Sequence, residues 1–99
     1  MPLFVIRRRL EGHSESELDA AMFRSLVCTN AFSDMRWVRT FWNAEREESL
    51  CVYDAACMDD LREFTQMANI PCDEIWEVAE LTPEVYWASH ANPAPAIAS

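Results

Sequence analysis

The sequence predicts one α+β domain built in the order strand, helix, strand, strand, helix, strand. Four short segments are rich in β-branched and aromatic residues, and two longer segments carry apolar residues at helical spacing. The chain has 99 residues, which is close to the usual size of a single domain. Together these observations predict one four-stranded sheet and two helices.

The first strand is predicted over residues 3–10, and the first helix begins soon after it. Gly12, the only glycine of the chain, marks the turn between them. Ser14 followed by Glu17 is typical of a capping box, in which each side chain bonds the backbone N–H of the other residue. Apolar residues at helical spacing then continue the helix to about Phe32.

Two strands joined by a hairpin follow this helix. Residues 35–42 and 50–55 are dominated by residue types that favour strands. The stretch between them, residues 43–48, is polar and highly charged. We therefore predict that it is an exposed hairpin loop.

The second helix is predicted over residues 58–68 and the last strand over residues 74–81. Asn69 follows this helix at the position that commonly adopts the left-handed conformation, which Asn tolerates better than other non-glycine residues. Pro71 then prevents the helix from continuing. The sequence thus predicts both a helix end and a new strand within a few residues.

Two interleaved β-α-β units of this kind form a ferredoxin-like fold, a four-stranded antiparallel sheet with both helices on one face. We assign residues 1–82 to this domain. Residues 83–99 are rich in Ala and Pro, and we assign them to a C-terminal tail that we expect to be loosely ordered.

The charge of the chain excludes some classes of partner. The formal net charge is −9, from 17 acidic residues and 8 basic residues, all of which are Arg. Nucleic acids and anionic membranes both require a surface that supplies cations. We therefore expect neither of them as a partner.

We expect a cytoplasmic protein with free thiols. No apolar run approaches the roughly 20 residues of a membrane span. The N-terminal apolar run is followed by its basic residues, whereas in a secretory signal the basic residues come first. The four cysteines show no CxxC spacing, and we expect them to stay reduced; they are Cys28, Cys51, Cys57 and Cys72.

Side chains alternate between the two faces of a sheet, so the strand residues divide into two sets. The helix-covered face is predicted to hold Phe4, Ile6, Val38, Thr40, Cys51, Tyr53, Trp76 and Val78. The open face, which no helix covers, is predicted to hold Leu3, Val5, Arg7, Arg9, Met35, Trp37, Arg39, Phe41, Leu50, Val52, Asp54, Ile75, Glu77 and Ala79. The open set is too apolar to remain in water, so we expect it to form a homodimer interface or a ligand pocket.

The charged residues of the open face are the candidate functional groups. If Phe41 pairs with Leu50 in the hairpin, Arg39 lies diagonally from Asp54. Arg39 and Arg7 are residue types that bind anions, while Asp54 or Glu77 is suited to proton transfer. The candidate catalytic residues are Arg39, Asp54 and Tyr53, and the candidate ligand-binding residues are Arg7, Trp37, Phe41 and Glu77.

Residue types alone leave several functions open. The pocket suits a protein that binds a small organic ligand, and an acidic one in particular. It also suits a cofactor-free isomerase, cyclase or oxygenase, by analogy with other dimeric domains of this fold. The charges are equally compatible with ion pairs across a two-fold dimer interface. His13 and His90 have no metal-ligand spacing, so the residues themselves predict no metal site.

Several short motifs nevertheless resemble a known family, and they occur in its order and spacing. They are the opening Met-Pro-Leu-Phe-Val-Ile, Trp-Val-Arg-Thr-Phe at 37–41, Cys-Val-Tyr-Asp-Ala at 51–55, Leu-Arg-Glu at 61–63 and Pro-Cys-Asp-Glu-Ile at 71–75. They resemble an actinobacterial nickel-binding family, domain of unknown function 4242, over residues 1–81. The resemblance implies a ferredoxin-like fold, a dimer and a nickel site.

The sequence departs from this family pattern at the positions that bear on nickel. Members of the family often carry Glu where this chain has Arg7, and His where it has Arg39 and Phe64. Glu and His are suitable ligands for Ni²⁺, whereas Arg and Phe are not. We therefore expect no cofactor, although the resemblance itself implies nickel.

Overall fold

The computed structural model describes residues 1–90 and contains four strands and three helices. In chain order they are β1 (Leu3–Arg9), α1 (Glu15–Thr29), β2 (Arg36–Asn43), β3 (Glu48–Asp54), α2 (Met58–Ala68), β4 (Glu74–Val78) and α3 (Pro83–Ser89). The strands form one antiparallel sheet in the order β2-β3-β1-β4. The predicted ferredoxin-like α+β fold is confirmed.

The core lies between the sheet and the two helices α1 and α2. Along β1, residues at even positions are buried and those at odd positions are not, so Phe4 and Ile6 face the helices. From the neighbouring strand, Tyr53 packs edge-on against Phe64 of α2, with ring centroids 5.2 Å apart. The opposite face of the sheet is covered by neither α1 nor α2, and we refer to it as the open face.

Local sequence signals define the start of α1 and the end of α2. The Ser14 hydroxyl accepts a hydrogen bond from the Glu17 N–H at 3.2 Å, and the Ser14 N–H donates to Glu17 Oε1 at 2.8 Å. The predicted capping box is therefore present. Asn69 ends α2 with φ 54° and ψ 54°, the left-handed conformation that was predicted for it.

The structure corrects the predicted C-terminal region. β4 ends at Val78, and residues 83–89 form α3 instead of a loosely ordered tail. The Thr82 hydroxyl accepts from the Val85 N–H at 3.1 Å, and Pro83 occupies the first turn, where its missing N–H costs nothing. Residues 91–99 lie outside the described residues, and the assignment of a domain boundary at residue 82 stays a prediction.

A β-bulge in β2 changes which of its side chains face the core. Trp37 lies opposite Tyr53 and Arg39 lies opposite Val52, so Val38 is an extra residue on this strand. Trp37 consequently packs against the core, and its Nε1–H donates to Thr40 Oγ1 at 2.8 Å. The predictions for Trp37 and Val38 were thus reversed, because strict alternation cannot anticipate an inserted residue.

Met35 and β4 also depart from the predicted division of faces. Met35, which precedes β2, is buried in the core. In β4, Trp76 lies opposite Val5 on the open face, whereas Ile75 lies opposite Ile6 and packs against the core. Val78 therefore joins Trp76 on the open face. We predicted that Trp76 faces the helices. The pairing of β4 with β1, however, determines which residues of β4 face each side, and it places Ile75 there instead.

Arg8 is fully buried on the helix-covered side, which the sequence analysis did not anticipate. Its Nη1 donates to the Pro71 carbonyl at 2.7 Å and its Nη2 donates to the Tyr53 hydroxyl at 3.2 Å. Burial raises the pKa of Tyr53 to about 12. Arg8 therefore ties β1 to β3 and to the segment that leads into β4. No helix among residues 1–90 has both the length and the apolar character needed to cross a membrane.

We expect Tyr53→Phe to lower the free energy of unfolding by about 1–3 kcal/mol, because it removes an acceptor from a buried guanidinium. Urea unfolding of the purified variant measures this change. Tyr86→Phe is the matched control, because Tyr86 is exposed on α3. Equal stabilities of the two variants would contradict the role assigned to the Arg8–Tyr53 hydrogen bond.

Candidate functional site

The open face carries an unusual concentration of basic residues. Half of the eight arginines of the chain lie on the strand positions of this face, together with three carboxylates. They are Arg7, Arg9, Arg36 and Arg39, with Glu48, Asp54 and Glu74. Four cations and three anions give these strand positions a charge of +1, within a chain whose formal charge is −9.

Arg7 binds carboxylates from both strands that neighbour β1. Its Nε lies 2.9 Å from Glu48 Oε1, and its Nη1 lies 2.7 Å from Glu74 Oε1. The side chains of Arg7 and Glu48 are mostly covered, at 20% and 13% exposure. The hydrogen bond from Arg7 lowers the pKa of Glu48 below its ordinary value of 4.5. We refer to these three residues as the Glu-Arg-Glu bridge.

Asp54 is bound by Arg36 and not by Arg39. Arg36 lies opposite Asp54 in the sheet, and its Nη2 and Nε donate to Asp54 Oδ2 at 2.6 and 3.0 Å. The observed register keeps Arg39 opposite Val52 and thus diagonal from Asp54, as predicted. The bulge at Val38, however, places Arg36 directly opposite Asp54, where Trp37 was expected, and Arg36 forms the ion pair.

Arg39 is an exposed guanidinium at the edge of an apolar cavity. The cavity has a volume of about 480 Å³ and spans the open face near the start of β1. Its apolar lining is Met1, Leu3, Val5, Val38, Phe41, Val52 and Val78. Among residues 1–90, Arg39 forms neither an ion pair nor a side-chain hydrogen bond, in contrast to Arg7 and Arg36.

Glu80 also lines this cavity but lies at its far side. It follows β4, whereas Arg39 is on β2, so three strand spacings separate their elements. At about 4.8 Å per spacing the separation is on the order of 14 Å. At that distance in water, Glu80 leaves the charge of Arg39 largely uncompensated.

The structure brings together four of the seven residues proposed from sequence. Arg7, Arg39, Phe41 and Asp54 share the open face. Tyr53 is completely buried on the other side of the sheet. Trp37 packs against the core, and Glu77 lies opposite Phe4 on the helix-covered side. The catalytic and binding roles given to all seven stay predictions.

Besides Val38 and Val78, the prediction missed three charged residues and one aromatic residue of the open face. Glu48 was missed because the predicted strand began only at residue 50. Arg36 lies inside the predicted strand 35–42 but was assigned to neither face. Extending the alternation of Leu50 and Val52 back by one step would have found Glu48. Glu74 and Trp76 were missed because the alternation of β4 was predicted with odd-numbered residues on the open face, whereas its even-numbered residues lie there.

Three larger cavities lie elsewhere on the surface of residues 1–90. One of about 660 Å³ lies between α1 and β2, and its lining includes Glu15 and Asp19 but no basic residue. Another, of about 540 Å³, includes Arg62, whose Nη1 bonds Asp59 at 3.0 Å. The third, of about 510 Å³, lies at the turn between β2 and β3 and includes Arg46, whose charge helps to lower the pKa of Glu48 in the same lining. Size alone therefore does not identify the site.

The described residues do not fit a metal centre. Within residues 1–90, no three His, Cys, Asp or Glu side chains are grouped in a way that could hold a metal ion. Glu48 and Glu74 come together, but both already bind the guanidinium of Arg7. Asp54 is bound by Arg36 in the same manner.

Comparison with known proteins identifies relatives for most of the chain. The sequence model of a family described as nickel responsive protein SCO4226-like matches residues 4–78. The fold is similar to that in the crystal structure of SCO4226 from Streptomyces coelicolor A3(2), with a TM-score of 0.69 and 16% sequence identity. This similarity covers 81% of the present chain and 99% of that chain. No curated protein matches the chain.

Acid is expected to weaken the Glu-Arg-Glu bridge. Because the pKa of Glu48 is lower in the folded state, the unfolded state takes up this proton first as the pH falls below about 4.5. The contribution of Glu48 is thus fully present above that pH and is lost as the pH falls through its folded pKa. We expect the free energy of unfolding to decline less steeply between about pH 5 and pH 3 in Glu48→Gln than in the unmodified chain.

Urea unfolding at a series of pH values measures this difference. Glu45→Gln removes the same charge from the exposed turn between β2 and β3, where no ion pair is present among residues 1–90, and serves as the control. The same slope in Glu45→Gln and Glu48→Gln would contradict the assignment.

Proposed function

We propose that this chain, which belongs to the family of nickel-responsive SCO4226-like proteins, uses its open sheet face to bind a small organic anion. The name of the family links its members to nickel, in agreement with the resemblance to a nickel-binding family. The residues of the open face, however, favour a ligand of the opposite charge.

The observation that supports this proposal is the environment of Arg39. Its guanidinium is exposed and forms no ion pair among residues 1–90, whereas Arg7 and Arg36 of the same face are paired. Arg9 forms no ion pair either, but its charge helps to lower the pKa of Glu48. Arg39 adjoins valine side chains from three other strand positions, Val5, Val52 and Val78. A guanidinium beside an apolar surface is suited to a carboxylate that carries a hydrophobic group.

The size of the cavity agrees with a small ligand. Pockets for small molecules commonly enclose about 300–1,000 Å³, and the open-face cavity has about 480 Å³. Phe41, which is more than half exposed, adds an aromatic wall next to Arg39. The ligand would thus place its acidic group at the β2 edge and its apolar part over the centre of the sheet.

The open face is also the surface through which we propose that two copies form a homodimer. Phe41, Leu50 and Trp76 expose large apolar side chains on this face of a single chain. Self-association would remove them from water. In such a dimer, the partner copy would form the outer wall of the cavity.

Catalysis by the same pocket is an alternative for which no specific group can be singled out. A cofactor-free enzyme needs a positioned acid or base. Asp54 is the carboxylate nearest to Arg39 in the register, but it is bound by Arg36. Tyr53, the other candidate, is buried on the opposite side of the sheet. Binding therefore has the stronger support.

Nickel binding is a second candidate because of the family to which the chain belongs. Against it, the three carboxylates of the open-face strands are all engaged with arginines. The two candidates make opposite demands, since one needs a free cation on the protein and the other needs free anionic or neutral ligands.

We expect octanoate and 3-phenylpropanoate to bind the purified protein, and the corresponding neutral amides to bind at least about tenfold more weakly. Arg39→Ala should weaken carboxylate binding about 10- to 100-fold, because a hydrogen bond to a charged group contributes about 1.5–3 kcal/mol. Isothermal titration calorimetry measures the affinities, and ¹H–¹⁵N spectra locate the perturbed residues.

Arg62→Ala is the matched control for this experiment, because it removes the same side chain from α2 on the other side of the sheet. It should leave carboxylate binding unchanged. Equal binding of acids and amides, or equal effects of the two substitutions, would refute anion binding at Arg39.

We expect the protein to sediment as a dimer in analytical ultracentrifugation, and Val52→Asp to shift it towards the monomer by at least about tenfold in dissociation constant. A carboxylate at the centre of the open face would have to be buried in the dimer. Val27→Asp introduces the same change on the exposed side of α1 and should not alter association. A monomeric unmodified chain, or equal dissociation of both variants, would overturn the proposed interface.

A further inference from the structure

Arg7 occupies a position at which two carboxylates from different strands converge. Arg7 lies on β1, next to both β3 and β4. Glu48 comes from the β3 side and Glu74 from the β4 side, where it lies directly opposite Arg7 in the register. One guanidinium therefore joins three strands, with N–O distances of 2.9 and 2.7 Å.

The two carboxylates require a cation at this position. Only 13% of the Glu48 side chain is exposed, and 46% of Glu74. A carboxylate that is largely removed from water is costly unless a positive group and hydrogen bonds compensate it. Two carboxylates close to each other also repel one another. Arg7 supplies a positive charge and two N–H donors. It thereby compensates the burial of Glu48 and reduces the repulsion between the two carboxylates.

A divalent cation placed between Glu48 and Glu74 would need the position that the Arg7 guanidinium occupies. Metal ions such as Ni²⁺ bind carboxylate oxygen and imidazole nitrogen, and a guanidinium cannot serve as a ligand. Oε1 of Glu48 and Oε1 of Glu74 both accept from Arg7. A metal ion would therefore have to displace an attached cation that is always present at a high local concentration.

We infer that Arg7 takes the place of a divalent cation between Glu48 and Glu74, so that this member of a nickel-responsive family does not bind nickel on its open face. The Arg36–Asp54 pair acts in the same way at the other end of the face. Arg36 binds only one carboxylate, whereas Arg7 binds two, so Arg7 is the main obstacle to metal binding on this face. This inference concerns a different group from Arg39 and holds whether or not an organic anion binds.

Removal of the guanidinium should reveal a cation site. We expect Arg7→Ala and Arg7→Gln each to bind Ni²⁺ at least about tenfold more tightly than the unmodified chain. Isothermal titration calorimetry with Ni²⁺ alone measures the affinity at neutral pH. Thermal unfolding with and without Ni²⁺ gives a second readout, since a metal that binds only the folded chain raises its melting temperature. Arg7→Gln keeps a hydrogen-bonding side chain and is the safer variant if Arg7→Ala fails to fold.

Three controls distinguish this site from other nickel ligands. Binding at His13 and His90 is common to all variants and therefore cancels in the comparison. Glu48→Gln combined with Arg7→Gln should remove the gain in affinity, because it removes one of the two carboxylates. Arg36→Ala should give a smaller gain than Arg7→Ala, because it frees a single carboxylate.

Two results would overturn the inference. The first is stoichiometric Ni²⁺ binding by the unmodified chain that is lost in Glu48→Gln, which would show that the metal displaces Arg7. The second is an Arg7→Gln variant that is folded, as judged by circular dichroism, but binds Ni²⁺ no more tightly than the unmodified chain. Carboxylate titrations on the same samples report on Arg39 separately.

Discussion

The pairing of β1 with a strand on each side determines the environment of the three consecutive arginines at its C-terminal end. Because alternate residues of a strand face opposite ways, Arg8 enters the core while Arg7 and Arg9 emerge on the open face. Arg8 donates to a carbonyl and a hydroxyl through its two Nη atoms, although its buried Nε has no partner among residues 1–90, and Arg7 donates to two carboxylates. These contacts connect β1 to β3, to β4 and to the segment between α2 and β4. The central strand is thus held by polar bonds on both of its faces, in addition to the apolar core.

This arrangement also decides the chemistry of the open face. Every strand carboxylate on that face forms an ion pair with an arginine, either Arg7 or Arg36. Arg39 keeps an uncompensated charge next to an apolar cavity. Arg9 also forms no ion pair among residues 1–90, but it lies outside the lining of this cavity, so the proposal of an anionic ligand rests on Arg39. The chain thus keeps the fold of a nickel-responsive family, whereas the ligand that we propose for its open face is an anion.

The features that could be predicted from the sequence are those set by neighbouring residues. The capping box of Ser14 and Glu17 and the left-handed Asn69 depend on local backbone geometry, and both were found. The order of the elements followed from short-range periodicity. The bulge at Val38 and the phase of β4 depend on pairing with distant strands, which periodicity within one segment does not contain. This is why Arg7, Arg39, Phe41 and Asp54 were placed on the correct face, while Trp37 and Glu77 were not.

The central claim is that Arg7 is held between two carboxylates whereas Arg39 is free to take an anion. The side-chain Nε–Hε signals of arginine in ¹H–¹⁵N spectra test it most directly, because they report hydrogen bonding at each guanidinium. We expect the Arg7 Hε to exchange slowly with water through its bond to Glu48, and the Arg39 Hε to exchange fast until octanoate is added. Rapid exchange at Arg7, or equal protection of both arginines without any added anion, would contradict the account.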